Sequence, residues 1–137
     1  MTPFRCRVSA AFCFDAAHRM PNFPPEHPNA WLHGHSYTGE VVVEGFVDPL
    51  TGFVMDHGKL EKCVVAITDK LDHRYLNDIE GIGLPTSENI CRWMWAQLKP
   101  QLPGLVEINI RRESRGITVT YRGPTPTTEK MREVTHE

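Results

Sequence analysis

A chain of 137 residues with 40% hydrophobic and 23% charged residues and a formal net charge of −2 has the balance of one globular domain, long enough for a single core and too short for two. No stripe of Lys and Arg interleaved with aromatics is present, so nucleic acid is not an expected partner, and no apolar run approaches the ~20 residues of a membrane span. Residues 1–7 lack the apolar centre of a signal peptide, and Cys6, Cys13, Cys63 and Cys91 are widely spaced without a C-x-x-C, so free thiols and a cytoplasmic setting are expected.

Residues 4–18 read as a long strand, with Val8, Ala10, Phe12, Phe14, Ala16 and His18 on one parity and Arg5, Arg7, Ser9, Cys13 and Asp15 on the other. A loop with four prolines follows over 21–29, where the fixed φ and missing N–H of proline forbid regular structure. It leads into His33-Gly34-His35 and a second strand over 37–47. Asp48-Pro49-Leu50-Thr51-Gly52 is a turn, and Phe53 to Met55 reads as extended.

Asp56 is a suitable N-cap for a helix over about 57–71, in which Leu60, Cys63, Val64, Ile67 and Leu71 form one apolar stripe. A second helix opens at Pro85-Thr86-Ser87-Glu88 and stops at Pro100, with Ile90, Met94 and Leu98 as its stripe and Trp93 and Trp95 flanking. Val106, Ile108 and Ile110 alternate in a third strand, and Ile117, Val119 and Tyr121 in a fourth. The order β-β-α-α-β-β predicts an α+β fold: a four-stranded antiparallel sheet with two helices on one face. Apolar residues on both parities of the first two strands suggest that the other face is covered by another subunit. Residues 1–123 form the expected domain, and 124–137 a polar, poorly ordered tail.

Three histidines carry the chemistry. In His33-Gly34-His35 the period of two on extended chain sends both imidazoles to one side, and His18 at the end of the first strand can complete a face of three nitrogen donors. Three His ligands with a fourth position open is the pattern of catalytic zinc, although a lone His-x-His also occurs in ordinary turns.

The ordered motifs Phe14-Asp15-Ala16-Ala17-His18, Leu32-His33-Gly34-His35-Ser36-Tyr37, Asp48-Pro49 with Thr51-Gly52, Leu71-Asp72-His73-Arg74-Tyr75-Leu76-Asn77-Asp78, Pro85-Thr86-Ser87-Glu88 and Arg112-Glu113 resemble the 6-pyruvoyl-tetrahydropterin synthase and 6-carboxy-tetrahydropterin synthase family over roughly residues 5–123. The resemblance implies the tunnelling fold (T-fold), with trimers closed into a twelve-stranded barrel, two trimers stacked into a homo-hexamer, and active sites between subunits. It implies Zn2+ on His18, His33 and His35, Glu113 as anchor of the pterin, Thr86 and Ser87 beside the ring, and the pair Asp72-His73 moving protons on the opposite side of the substrate. Thr86 also suits plain helix capping, Glu113 a solvated acid at a strand end, and His73 the C-terminus of a helix, and these readings stand beside the functional ones.

One position departs from the pattern. The family's proton-abstracting cysteine lies four residues before the first His of His-Gly-His, and here that residue is Asn29, which has no titratable proton. Cys13 has the opposite parity to His18 and should point away from the metal. Either Glu26 or His27 supplies a base, or the reaction is different or partial, or the protein binds a pterin without turning it over.

The expected function is a zinc-dependent lyase acting on 7,8-dihydroneopterin triphosphate. A short chain without eukaryotic-type extensions is most like 6-carboxy-tetrahydropterin synthase, whose product feeds 7-deazaguanine and queuosine synthesis. A cysteine-less paralogue working on a different dihydropterin, and a non-catalytic pterin-binding hexamer, are the alternatives. Some relatives with an altered base position act as aldolases on dihydroneopterin, with Glu as the replacement.

Overall fold

The computed structural model describes residues 2–125; the expected tail lies outside the described residues from 126 onward. Four strands, β1 (Arg5–His18), β2 (His33–Phe46), β3 (Leu105–Arg112) and β4 (Ile117–Tyr121), form one antiparallel sheet in the order β1-β2-β3-β4. Helices α1 (His57–Asp69) and α2 (Ser87–Leu98) sit between β2 and β3 in sequence. Both pack on one face of the sheet, α1 on β1 and α2 on β3 and β4.

Residues that alternate along each strand separate largely by face, with Val42 and Asn109 also buried on the side away from the helices. Phe12, Phe14 and Ala16 of β1, Tyr37, Val41 and Val43 of β2, and Ile108 and Ile110 of β3 are buried under the helices. They meet the predicted stripes: Leu60, Cys63, Val64, Ile67 and Leu71 from the first helical segment, and Ile90, Met94 and Leu98 from the second. Asp56 caps α1 by accepting from the Lys59 N–H, and Thr86 caps α2 by accepting from the Asn89 N–H.

Two local expectations need correction. The second strand begins at His33 rather than 37, because His18 and His33 through Arg5 and Phe46 pair without interruption and carry His-Gly-His into the ladder. Phe53–Met55 joins no strand; the chain bends there on its way to the α1 cap. The proline loop contains one short 3-10 turn, Pro28–Ala30.

Gly39 is required by the sheet. It stands opposite Phe12, and a Cβ there would lie 1.9 Å from the Asn109 carbonyl oxygen and 2.6 Å from the Phe12 ring. The face away from the helices is polar, with ion pairs Arg111–Glu40, Arg7–Glu44 and Arg122–Glu107. All four cysteines are free, and burial pushes the Cys91 thiol up to about 12, as expected for a structural thiol. No helix among the described residues is long and apolar enough to cross a membrane.

Candidate metal and substrate site

Pairing of the end of β1 with the start of β2 assembles the three histidines. His18 stands directly opposite His33, and Ala16 opposite His35, so all three imidazoles emerge on the helix-facing side. Their centroids lie 4.6, 4.9 and 4.9 Å apart, and one ligand atom from each falls within 4.8 Å of the others.

Hydrogen bonds fix the tautomers. His18 Nδ1–H donates to the Pro85 carbonyl at 2.8 Å, and His33 Nδ1–H donates to the Trp31 carbonyl at 2.6 Å. A carbonyl can only accept, so Nδ1 is the protonated nitrogen in both rings. The two Nε2 atoms face each other at 3.0 Å with their lone pairs. Such a pair repels unless a cation stands against it, and a metal-ligating His commonly gives its other N–H to a carbonyl.

A bridging proton is disfavoured. Burial lowers the proton affinity of His18, aided by His33 and Arg112 and opposed by the bond to Pro85. Burial and then the Arg112 guanidinium push His35 down to about 4. Imidazoles that resist protonation, as His18 and His35 do, suit a metal, and the three converging ring nitrogens fit a divalent ion of the zinc type.

The cluster opens into a cavity of about 600 Å³ whose walls include Asn29, Tyr37, Thr86, Ser87, Arg112 and Arg115. Asn29 is placed by the loop's own bonds. Its carbonyl accepts from the Met20 N–H at 2.7 Å, its N–H donates to His27 Nδ1 at 3.0 Å, and the Trp31 indole N–H donates to the Pro25 carbonyl at 2.9 Å. The position that departs from the family pattern is therefore a wall of the histidine cavity. Thr86 and Ser87 reach it from the α2 N-terminus, so Thr86 caps the helix and lines the cavity at once.

The remaining predicted residues lie elsewhere in the chain. Glu113 accepts a hydrogen bond from the Thr38 hydroxyl at 3.2 Å and lines a separate cavity with Cys13, Glu40 and Arg111, whose walls also include Val64 and Thr68 of α1. Cys13 thus points away from the metal cluster, as its parity predicts.

Asp72 and His73 sit at the outer edge of β1. The Asp72 Oδ1 accepts from the Asp15 N–H at 3.0 Å and lies 3.0 Å from His73 Nδ1, while the His73 N–H donates to the Asp15 carbonyl at 2.7 Å. These bonds hold the Asp72 carboxyl below the usual carboxylate range, the Asp15 N–H first and His73 next. His73 takes a left-handed φ of 58°, uncommon for a residue with a side chain, and its ring is exposed with Nδ1 on Asp72 and Nε2 outward. A dyad with that polarity can take up a proton at Nε2 while the carboxylate steadies the imidazolium.

Arg112 was not among the residues expected to line the site. It continues the alternation of Ile108 and Ile110, which places it on the helix-facing side at the strand end. The carbonyls of Pro85 and Trp31 leave no trace in the sequence, because they are backbone groups brought in by the fold.

Residues 7–124 match the family model described as 6-pyruvoyl tetrahydropterin synthase. The chain is 40% identical over 104 residues to dihydroneopterin monophosphate aldolase of Pyrococcus furiosus, spanning 76% of this chain and 84% of that protein. It is 39% identical over 107 residues to 6-carboxy-5,6,7,8-tetrahydropterin synthase of Synechocystis, spanning 72% of this chain and 80% of the relative. Among solved structures, Caenorhabditis elegans 6-pyruvoyl tetrahydropterin synthase superposes with a TM-score of 0.77 at 29% identity, covering 88% of this chain and 96% of the other.

Proposed function

This chain belongs to the 6-pyruvoyl tetrahydropterin synthase family, and from that premise we propose that it is a zinc-dependent lyase acting on the side chain of a dihydroneopterin phosphate. The observation that carries the reading is the pair of Nε2 lone pairs from His18 and His33, with His35 beside them, facing into a cavity walled by Asn29. A divalent ion held by these three imidazoles would supply Lewis acidity to the hydroxyl groups of the side chain.

The chain's own groups do the rest. Glu113 offers two carboxylate oxygens to the amino and N–H edge of a pterin, and Thr86 and Ser87 add donors at a helix N-terminus. His73, held by Asp72, takes the proton at Nε2. Glu113 lines a cavity without any of the three histidines, and His73 shares a cavity with His35 alone, outside the one that all three histidines line, which supports a site completed between subunits. A hexamer built as a dimer of trimers would also cover the outer edge of β1, which among the described residues is bonded only near its C-terminal end, to residues 72–75.

Two reactions fit this scaffold. Formation of 6-carboxy-tetrahydropterin from dihydroneopterin triphosphate, the queuosine-pathway reading, requires removal of a carbon-bound proton, the task of the family cysteine. Aldol cleavage requires removal of a hydroxyl proton, followed by return of a proton to the ring-side carbon. Asn29 can do neither acid nor base chemistry, but it can orient a hydroxyl by hydrogen bonding. A general base contributes ~10²–10⁴-fold, and a carbon-bound proton is the harder one to move without it. Both routes break the bond between the first two side-chain carbons, but the aldol route does so without removing a carbon-bound proton and releases the outer two carbons as a phosphorylated aldehyde. Asn29 therefore favours the aldol route, in keeping with the similarity to the aldolase of Pyrococcus furiosus.

The deciding experiment incubates zinc-loaded protein with 7,8-dihydroneopterin mono- and triphosphate and identifies every pterin by chromatography with mass detection, with Asn29→Cys in parallel. We expect 6-hydroxymethyl-dihydropterin from the parent, and a shift toward 6-carboxy-tetrahydropterin in the variant. Formation of 6-carboxy-tetrahydropterin by the parent would restore the synthase reading and make Glu26 and His27 the next residues to replace. Binding without turnover by either protein would leave a pterin-binding protein.

A further inference from the structure

Arg111 and Arg112 are neighbours in sequence and opposites in circumstance. Arg111 faces away from the helices and is neutralised by a two-pronged ion pair with Glu40, one prong at 2.7 Å. Arg112 faces the histidines, is half-buried, and forms none of the ion pairs among the described residues. Its Nε is buried without a hydrogen-bond partner. Such a group costs free energy unless something pairs with it, and a site is where the deficit is tolerated.

The surroundings raise the demand for negative charge. Arg115 lines the same cavity, the α2 N-terminus points its free N–H groups there through Thr86 and Ser87, and Glu88 is the one acid among the lining residues. A divalent ion on the three histidines would add two further positive charges.

We infer that Arg112, with Arg115 beside it, binds the phosphate of the substrate's side chain next to the histidine cluster, so that the site selects a phosphorylated side chain over a neutral one. This rests on the reading of the cavity as a dihydropterin site. The planar guanidinium fork matches two phosphate oxygens, and a phosphate ester brings nearly two negative charges to a cavity that lacks them. The proposed anchor of the pterin edge, Glu113, lines another cavity, so Arg112 is assigned to the side-chain end.

The test is calorimetric titration of the zinc-loaded protein, with metal content and solution mass checked for each variant. The ligands are 7,8-dihydroneopterin triphosphate, unphosphorylated 7,8-dihydroneopterin, and tripolyphosphate alone. Arg112→Gln is expected to weaken the triphosphate ester ~10- to 100-fold, the worth of a charge-assisted pair, and to leave the unphosphorylated pterin essentially unchanged. Arg112→Lys, which keeps the charge and loses the fork, should fall between, and it decides the matter if the Gln variant does not fold. Equal weakening of both pterins, or no weakening of the ester, overturns the assignment. If the parent binds neither pterin, the dihydropterin reading falls, and tripolyphosphate still judges Arg112: weaker binding in the variant upholds it, equal binding sinks it.

Discussion

His18 and His33 each spend their Nδ1–H on a backbone carbonyl, one from Pro85 and one from Trp31, and this leaves both Nε2 atoms committed to the same small volume. Truncating one ring should therefore empty the site rather than loosen it. We expect His33→Ala to lose stoichiometric zinc after gel filtration, read by elemental analysis, while the parent retains about one ion per chain. The Asp72–His73 dyad makes a different prediction. Asp72→Asn keeps the shape but removes the charge that steadies a protonated His73, so kcat should fall ~10²–10⁴-fold with little change in pterin affinity. A parallel loss of affinity would mean that the pair shapes the pocket instead of moving protons.

Elements carry two further consequences. Gly39 lets β2 and β3 close over the Phe12 ring; in Gly39→Ala the new methyl meets a backbone oxygen that cannot turn aside. Strand separation or ring displacement follows, and a loss of at least ~2 kcal/mol is expected by urea denaturation. The Glu40–Arg111 pair spans β2 and β3 on the face away from the helices, and it holds the Glu40 carboxyl below its ordinary 4.5 in the folded state. A depressed folded value means that the stabilisation is fully present above about pH 4.5 and is lost as the pH falls through the folded value. Glu40→Gln should thus cost about 1 kcal/mol at pH 7, partly offset by solvent at this partly exposed pair, and the difference from the parent should shrink below about pH 4.5 and close once the Glu40 carboxyl is protonated in the folded state. A gap that persists at low pH would assign the loss to packing.

For the molecule as a whole, the placement of the proposed groups on different parts of one chain makes sharing between subunits testable. His33→Ala and His73→Ala are each expected to be inactive alone. Unfolded and refolded together, they should regain activity in roughly one site in four, because a site that takes its histidine cluster from one subunit and its dyad from another escapes both lesions in that share of random pairings. No recovery, or a monomer by light scattering, would require one chain to bring Glu113 and His73 to the metal by itself, although neither lines the cavity of all three histidines here.

Much of this was legible in the chain. Periods of two and 3.6, with Asp56 and Thr86 as caps, are local stereochemistry, so the strands, the helix stripes and the β-β-α-α-β-β order follow from residue spacing alone. His33-Gly34-His35 and the parity of His18 likewise announce one face of donors, and Asn29 stands out against the family motif from its position in the sequence. Pairing across fourteen residues of loop was needed to put His18 opposite His33, and long-range packing was needed to bring the Pro85 carbonyl to its ring. The opposite fates of Arg111 and Arg112 also belong to the tertiary structure. Spacing assigns them to different faces, but only the packed sheet shows that one guanidinium finds a carboxylate and the other finds an open cavity. Partners distant in sequence set the charge balance of a buried group, and no local pattern encodes them.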